Sequence, residues 1–77
     1  MKYKIDDLIK VKETILGVIL YTKFNSFFEF AGPATPGEIL IIVDINNQDE
    51  GWVEAYHNQF GVVIIETKGI EPATAPR

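Results

Sequence analysis

Apolar and polar positions alternate with period two along most of this chain, the spacing of strands with one face buried and one face wet. Leu8-Ile9-Lys10-Val11-Lys12 reads as a first short strand, with Leu8 and Val11 toward the core. Glu13-Thr14 is a turn signal. Ile15 to Thr22 predicts a second strand in which Gly17 marks a bulge or a close approach. A helix over 6–20, capped by Asp6, competes for this stretch. Val11, Thr14, Ile15, Val18 and Ile19 are all β-branched and argue against it.

After the turn-like Asn25-Ser26, Phe27–Phe30 predicts a third short strand. Ala31 to Gly37 is expected to be a loop, because two prolines remove ladder donors and two glycines relax the backbone. Glu38 to Ile45 is the clearest strand, followed by a polar loop at 46–51 and a strand from Trp52 to Tyr56. His57-Asn58-Gln59 predicts a tight hairpin with Asn58 at positive φ. Gly61 to Thr67 is the return strand, Lys68-Gly69 a turn, and Ile70 is expected to pack back on the core. Residues 72–77 carry nothing to bury and read as a flexible tail. Residues 1–71 are therefore expected to form one small all-β domain of five to six short strands, a closed barrel or sandwich. Closure also removes the edges that runs such as Ile39–Val43 leave open.

The strand at 38–45 has two possible phases. Simple alternation turns Ile39, Ile41, Val43 and Ile45 inward. The opposite phase buries Leu40 and Ile42. A one-residue slip exchanges the two sets, and either choice leaves large aliphatics on the outer face.

From Gly37 onward the order of residues resembles a Src-homology-3 domain. Gly37-Glu38 followed by Leu40 and Ile42 looks like that family's diverging turn and second strand. Gly51-Trp52-Val53-Glu54-Ala55 resembles its tryptophan-bearing strand start, with Ala55 at the small core position. Gly61-Val62-Val63 and Ile70-Glu71 resemble the return and closing strands. The resemblance covers about half the chain. It implies a small Src-homology-3-like barrel with Leu40 and Ile42 inward. The N-terminal half has no Ala-Leu-Tyr-Asp-Tyr-like signature, and Ile64 stands where the family carries its ligand-contacting proline. Of the aromatic shelf that grips polyproline ligands, only Trp52 is matched.

Composition narrows the chemistry. The chain of 77 residues has no cysteine, which excludes disulfides, thiol catalysis and cysteine-ligated metal sites. Acidic Asp6 and Asp7 interrupt any signal-peptide core, and no apolar run approaches a membrane span. The expectation is a soluble, cytoplasmic protein with no membrane contact. The formal charge of −4 opposes nucleic acid and acidic lipid surfaces. Lys2, Lys4, Lys10 and Lys12 cluster near the N-terminus and read as solvated strand edges.

No catalytic constellation assembles. His57 is the only histidine and Ser26 the only serine, with nothing linking them. His57 reads as a hairpin-tip residue, and Glu54 falls on the opposite face of its strand. Gly32–Gly37 lacks the lysine and helix of a phosphate loop. No cofactor and no metal is expected. The spacing of Asp44, Asp49 and Glu50 does not match a calcium loop. The candidate site is a recognition surface: Trp52 at the rim, with Tyr56 and Tyr21 as neighbouring aromatics, and the carboxylates of Asp49 and Glu50 to attract a basic partner. Phe24, Phe27, Phe28 and Phe30 read as core packing or as a hydrophobic contact with a partner, ahead of base stacking. The leading expectation is a non-catalytic module that docks a protein or peptide. A structural subunit of a larger or homo-oligomeric assembly, viral or otherwise, is the alternative. A nucleic-acid-binding barrel comes third.

Overall fold

A computed structural model of the protein describes residues 2–24 and 27–73. The expected turn at Asn25-Ser26 and residues 74–77 of the expected tail lie outside the described residues. Seven strands appear in chain order: β1 (Leu8–Val11), β2 (Val18–Phe24), β3 (Phe27–Ala34), β4 (Ile39–Asp44), β5 (Trp52–His57), β6 (Gly61–Glu66) and β7 (Ile70–Pro72). Two single turns of 3-10 helix, η1 (Gln48–Glu50) and η2 (Thr67–Gly69), sit in the connections. All pairings are antiparallel, in one sheet of order β3-β2-β6-β5-β4-β1-β7.

The all-β expectation holds, and the strand count and the closure are corrected. Among the described residues there are seven strands rather than five or six, and the sheet is open, ending at β3 and β7. The seventh strand is only three residues long, too short to show a period. The sheet nevertheless curls around one core, because every strand contributes to the same buried cluster: Ile9, Leu20, Ala34, Ile42, Val53, Val63 and Ile70 each belong to it. The arrangement is compatible with a small β-barrel-like fold.

In β4, Leu40 and Ile42 are buried while Ile39, Ile41 and Val43 face outward. The phase is the one the family resemblance implied, not the one simple alternation offered. In β1 the inward pair is Ile9 and Val11, so Leu8 is corrected to the outer face, where it is 52% exposed. The second strand starts three residues late. Thr14–Gly17 form a turn closed by the Gly17 amide donating to the Thr14 carbonyl at 3.2 Å. Ile15 and Leu16 stand fully exposed on that turn. Gly17 is the turn's positive-φ residue (φ 77°) and not a bulge.

The bulge falls in β3 instead. Leu20 pairs with Gly32 and Tyr21 with Phe30, which leaves Ala31 as the extra residue. β3 also runs through Pro33 to Ala34, where a loop was expected. An edge strand tolerates a proline that a central strand would not. At the β5–β6 hairpin the positive φ belongs to Gly61 (φ 76°), and Asn58 is not in the left-handed region.

The N-terminal segment closes one end of the roll. Asp6 takes φ 76°, a conformation Asp tolerates better than most residues, and the Lys4 amide donates to Asp7 Oδ2 at 2.8 Å. This turn sends Tyr3 into the core at 7% exposure. Its amide donates to Gln48 Oε1 at 2.8 Å, and Gln48 Nε2 donates back to its carbonyl at 3.0 Å. Burial pushes the Tyr3 hydroxyl above its usual range, and the carboxylates of Glu71 and Asp7 push it the same way.

His57 is also buried, at 5% exposure, so the reading of it as a hairpin-tip residue is corrected. It is the last residue of β5 and faces inward. Its Nδ1 accepts from the amides of Gln59 (3.0 Å) and Phe60 (3.3 Å). Those bonds leave the proton on Nε2, which lies 3.0 Å from Glu38 Oε2. The ring stacks on Phe60 at 4.9 Å, and a Cβ on Gly32 would meet the Phe60 ring at 3.1 Å. A single imidazole thus ties the hairpin tip to the start of β4 and, through Phe60, to β3.

Candidate docking site

Trp52 owes its position to the turn before it. The Asn46–Gly51 connection folds into η1, and Gly51 closes it at φ 102° with its amide donating to the Gln48 carbonyl. A side chain at that φ would be strained. The Gly51 carbonyl accepts from the Thr67 amide at 2.9 Å, which pins the start of β5 to the end of β6. Strand alternation then turns Val53, Ala55 and His57 inward and Trp52, Glu54 and Tyr56 outward.

The indole is half-buried, and among the described residues it pairs with Phe28 of β3. The two rings meet edge to face, centroids 5.4 Å apart at 77°. Phe28 remains 51% exposed, with Phe27 at 73% and Phe30 at 66% on the same strand. Core packing of these three phenylalanines, one of the sequence expectations, is thereby corrected. The hairpin of β2 and β3 holds them at the surface.

Of the five residues singled out from sequence, Trp52, Asp49 and Glu50 share one corner of the molecule. Asp49 and Glu50 are both exposed on η1, and Asp49 pairs with Lys2. Tyr21 lies in β2 opposite Phe30 and Ile64, so it belongs to the same aromatic surface by way of β3. Tyr56 is separate. It shares the outer face of β5 with Trp52 but stands four residues on, about 13 Å along the strand. Its neighbours across the sheet are Ile41, Val62 and, beyond Ile41, Leu8. These four residues form an apolar row over four strands.

Sequence reading offered Phe28 as a hydrophobic contact with a partner but missed its pairing with Trp52, and it missed Glu54 as part of this site. Period two from Trp52 was the available signal for Glu54. Nothing local could pair Phe28 with a residue 24 positions away. Glu54 faces Asp44 directly across the β4–β5 register, and Glu66 faces Trp52 across β5–β6. Like charges directly opposite one another oppose strand pairing, so this corner concentrates negative charge at some cost to the fold. Glu66 is offset by Lys68 at 3.2 Å. Glu50 and Glu54 have no ion-pair partner among the described residues.

A groove of about 650 Å³ lies elsewhere, under the turn of Ile15 and Leu16 and against Glu66, Lys68 and Gly69. Its two charged groups, Glu66 and Lys68, pair with each other at 3.2 Å. Among the described residues no group of three or more His, Asp or Glu side chains is placed to hold a metal ion, and no helix is long and apolar enough to cross a membrane. No protein-family model, curated protein or solved structure matches the chain.

Proposed function

We propose that this chain is a non-catalytic interaction module that docks a protein or peptide through the rim formed by Trp52, Phe28 and the carboxylates around them. The observation that carries the reading is the edge-to-face contact of half-buried Trp52 with exposed Phe28, beside two carboxylate residues, Asp44 and Glu54, that pair directly across the β4–β5 register. An aromatic pair that reaches the surface gives apolar contact area at low entropic cost, and carboxylates without an ion-pair partner favour a cationic side chain laid over the indole. Tyr21, Asp49 and Glu50 extend the same surface. We further propose a Src-homology-3-like arrangement of the strands. Supporting it are the inward phase of Leu40 and Ile42, the burial of Ala55, the tryptophan opening β5, and the return of β7 to pair with β1.

The test is selection of displayed random peptides on the full chain, followed by titration of the enriched sequences against Trp52→Ala and Phe28→Ala. The expected outcome is a set of peptides rich in Lys or Arg whose affinity falls at least tenfold in either variant, with unchanged circular dichroism. Peptides that bind Trp52→Ala at full strength would remove this rim from consideration.

A structural subunit in an assembly is the second reading. The row of Leu8 (52% exposed), Ile41, Tyr56 (48%) and Val62 (49%), flanked by Ile39 (50%), favours it.

A further inference from the structure

Each end strand of an open sheet carries main-chain N–H and C=O groups with no partner. Here those strands are β7 and β3. β7 is three residues long and ends at Pro72, so its free edge is short and lacks a donor at its last position. β3 is eight residues long. Its second half is guarded by the bulge at Ala31 and by Pro33. Its first half, Phe27–Phe30, has neither device. Those four residues run in register against Tyr21–Phe24. Whichever way that ladder is phased, two alternate residues of the four aim both N–H and C=O away from β2. The edge is also lined by the three exposed phenylalanines.

The geometry points to the Phe27–Phe30 edge of β3 as a strand-addition site for an extended, positively charged segment of another protein. The inference rests on the reading of the Trp52 and Phe28 rim as a docking surface, since Phe28 belongs to both. An extended main chain fits because only N–H and C=O groups in strand geometry complete a ladder. Charge selects among extended chains. Glu29 sits exposed at the centre of the open stretch with no ion-pair partner among the described residues, on a chain of net charge −4. A second copy brings the same net charge of −4 to the edge, and the two-fold register that sets Phe28 against Phe30 also sets Glu29 against Glu29, where like charges are unfavourable.

The test uses the full chain and a capped, fluorescent octapeptide of alternating valine and lysine. One control replaces lysine with glutamate. Two others carry N-methyl groups on one or the other set of alternate amides. Saturable binding of the lysine peptide is expected, with the glutamate peptide weaker by about tenfold. One of the two methylated peptides should lose binding, and amides within Phe27–Phe30 should exchange their hydrogens about tenfold more slowly in the complex. Glu29→Arg, an exposed change that leaves the fold intact, should reverse the charge preference. Absence of saturable binding overturns the inference. Binding that quenches Trp52 while both methylated peptides bind normally and exchange at Phe27–Phe30 is unchanged also overturns it, yet leaves the docking rim standing. A concentration-dependent dimer that slows the same amides without peptide reassigns the edge to self-pairing and overturns the foreign partner.

Discussion

Gly69→Ala should destabilise the protein, and should become stabilising once Val18 is truncated. Gly69 ends η2, which runs on from β6, the neighbour of β2 in the sheet, and a Cβ built on it would lie 2.9 and 3.0 Å from the two γ-carbons of Val18. Val18 is buried at 7% and its β-branched side chain has little freedom to turn away. Overpacking of this kind costs about 1–3 kcal/mol. The φ of Gly69 lies outside the left-handed range, so alanine fits the backbone and stabilises by about 0.4–1 kcal/mol through the unfolded chain. The clash wins, for a net loss of about 0.5–2 kcal/mol out of the roughly 4–12 kcal/mol expected of 77 residues. Val18→Ala removes both γ-carbons and leaves only the Val18 Cβ, at an ordinary 3.5 Å. In that background Gly69→Ala should therefore change sign. Urea unfolding of the two single variants and the double variant, followed by circular dichroism, completes the cycle. Strict additivity, or a Gly69→Ala that is neutral in the parent, would refute the packing of η2 on the start of β2.

Ile42→Ala should cost about 2–5 kcal/mol and Ile41→Ala less than about 1 kcal/mol; equal losses in urea unfolding would contradict the strand phase. His57→Ala strands the Gln59 and Phe60 amides and leaves Glu38 alone, at a cost of about 2 kcal/mol or more. A Tm lower by roughly 10 °C is expected, and an unchanged Tm would count against the buried imidazole. Tyr3 holds its proton more tightly folded than unfolded, so its contribution is intact below the unfolded value of about pH 10 and is lost as pH rises through the folded value. Tyr3→Phe should therefore lie within about 1 kcal/mol of the parent at pH 8, where it gives up only a long 3.4 Å bond to the Ile70 carbonyl. It should lose less stability than the parent above pH 10; parallel urea midpoints across that range would refute this.

Strands were legible where alternation ran long enough to be read. β4, β5 and β6 lie within one or two residues of their expected limits. β7 shows no period in its three residues, and only the likeness of Ile70-Glu71 to a closing strand pointed to it. Leu8 misled because its strand is short and apolar at both 8 and 9, so phase came from the partner strand: Leu8 pairs with outward Ile41 and Ile9 with inward Leu40. Ile15 and Leu16 misled because apolar character argues for burial, whereas a turn closed between Thr14 and Gly17 forces both outward. Pro33 reads as a loop until the strand carrying it is known to be an edge. For the site, Trp52 and its acidic neighbours followed from local order. Phe28 did not, because its meeting with Trp52 depends on how the β2–β3 hairpin lies against the rest of the sheet.

The most direct test of the docking rim is an NMR titration of the isotope-labelled chain with a selected peptide. The chain has one tryptophan, so its indole N–H is a single resolved reporter. The rim account expects that signal to move first, together with the amides of Phe28, Glu50 and Glu54. Shifts gathered on Leu8, Ile41, Tyr56 and Val62 with the indole unmoved would contradict it and hand the binding to the outer face of the sheet.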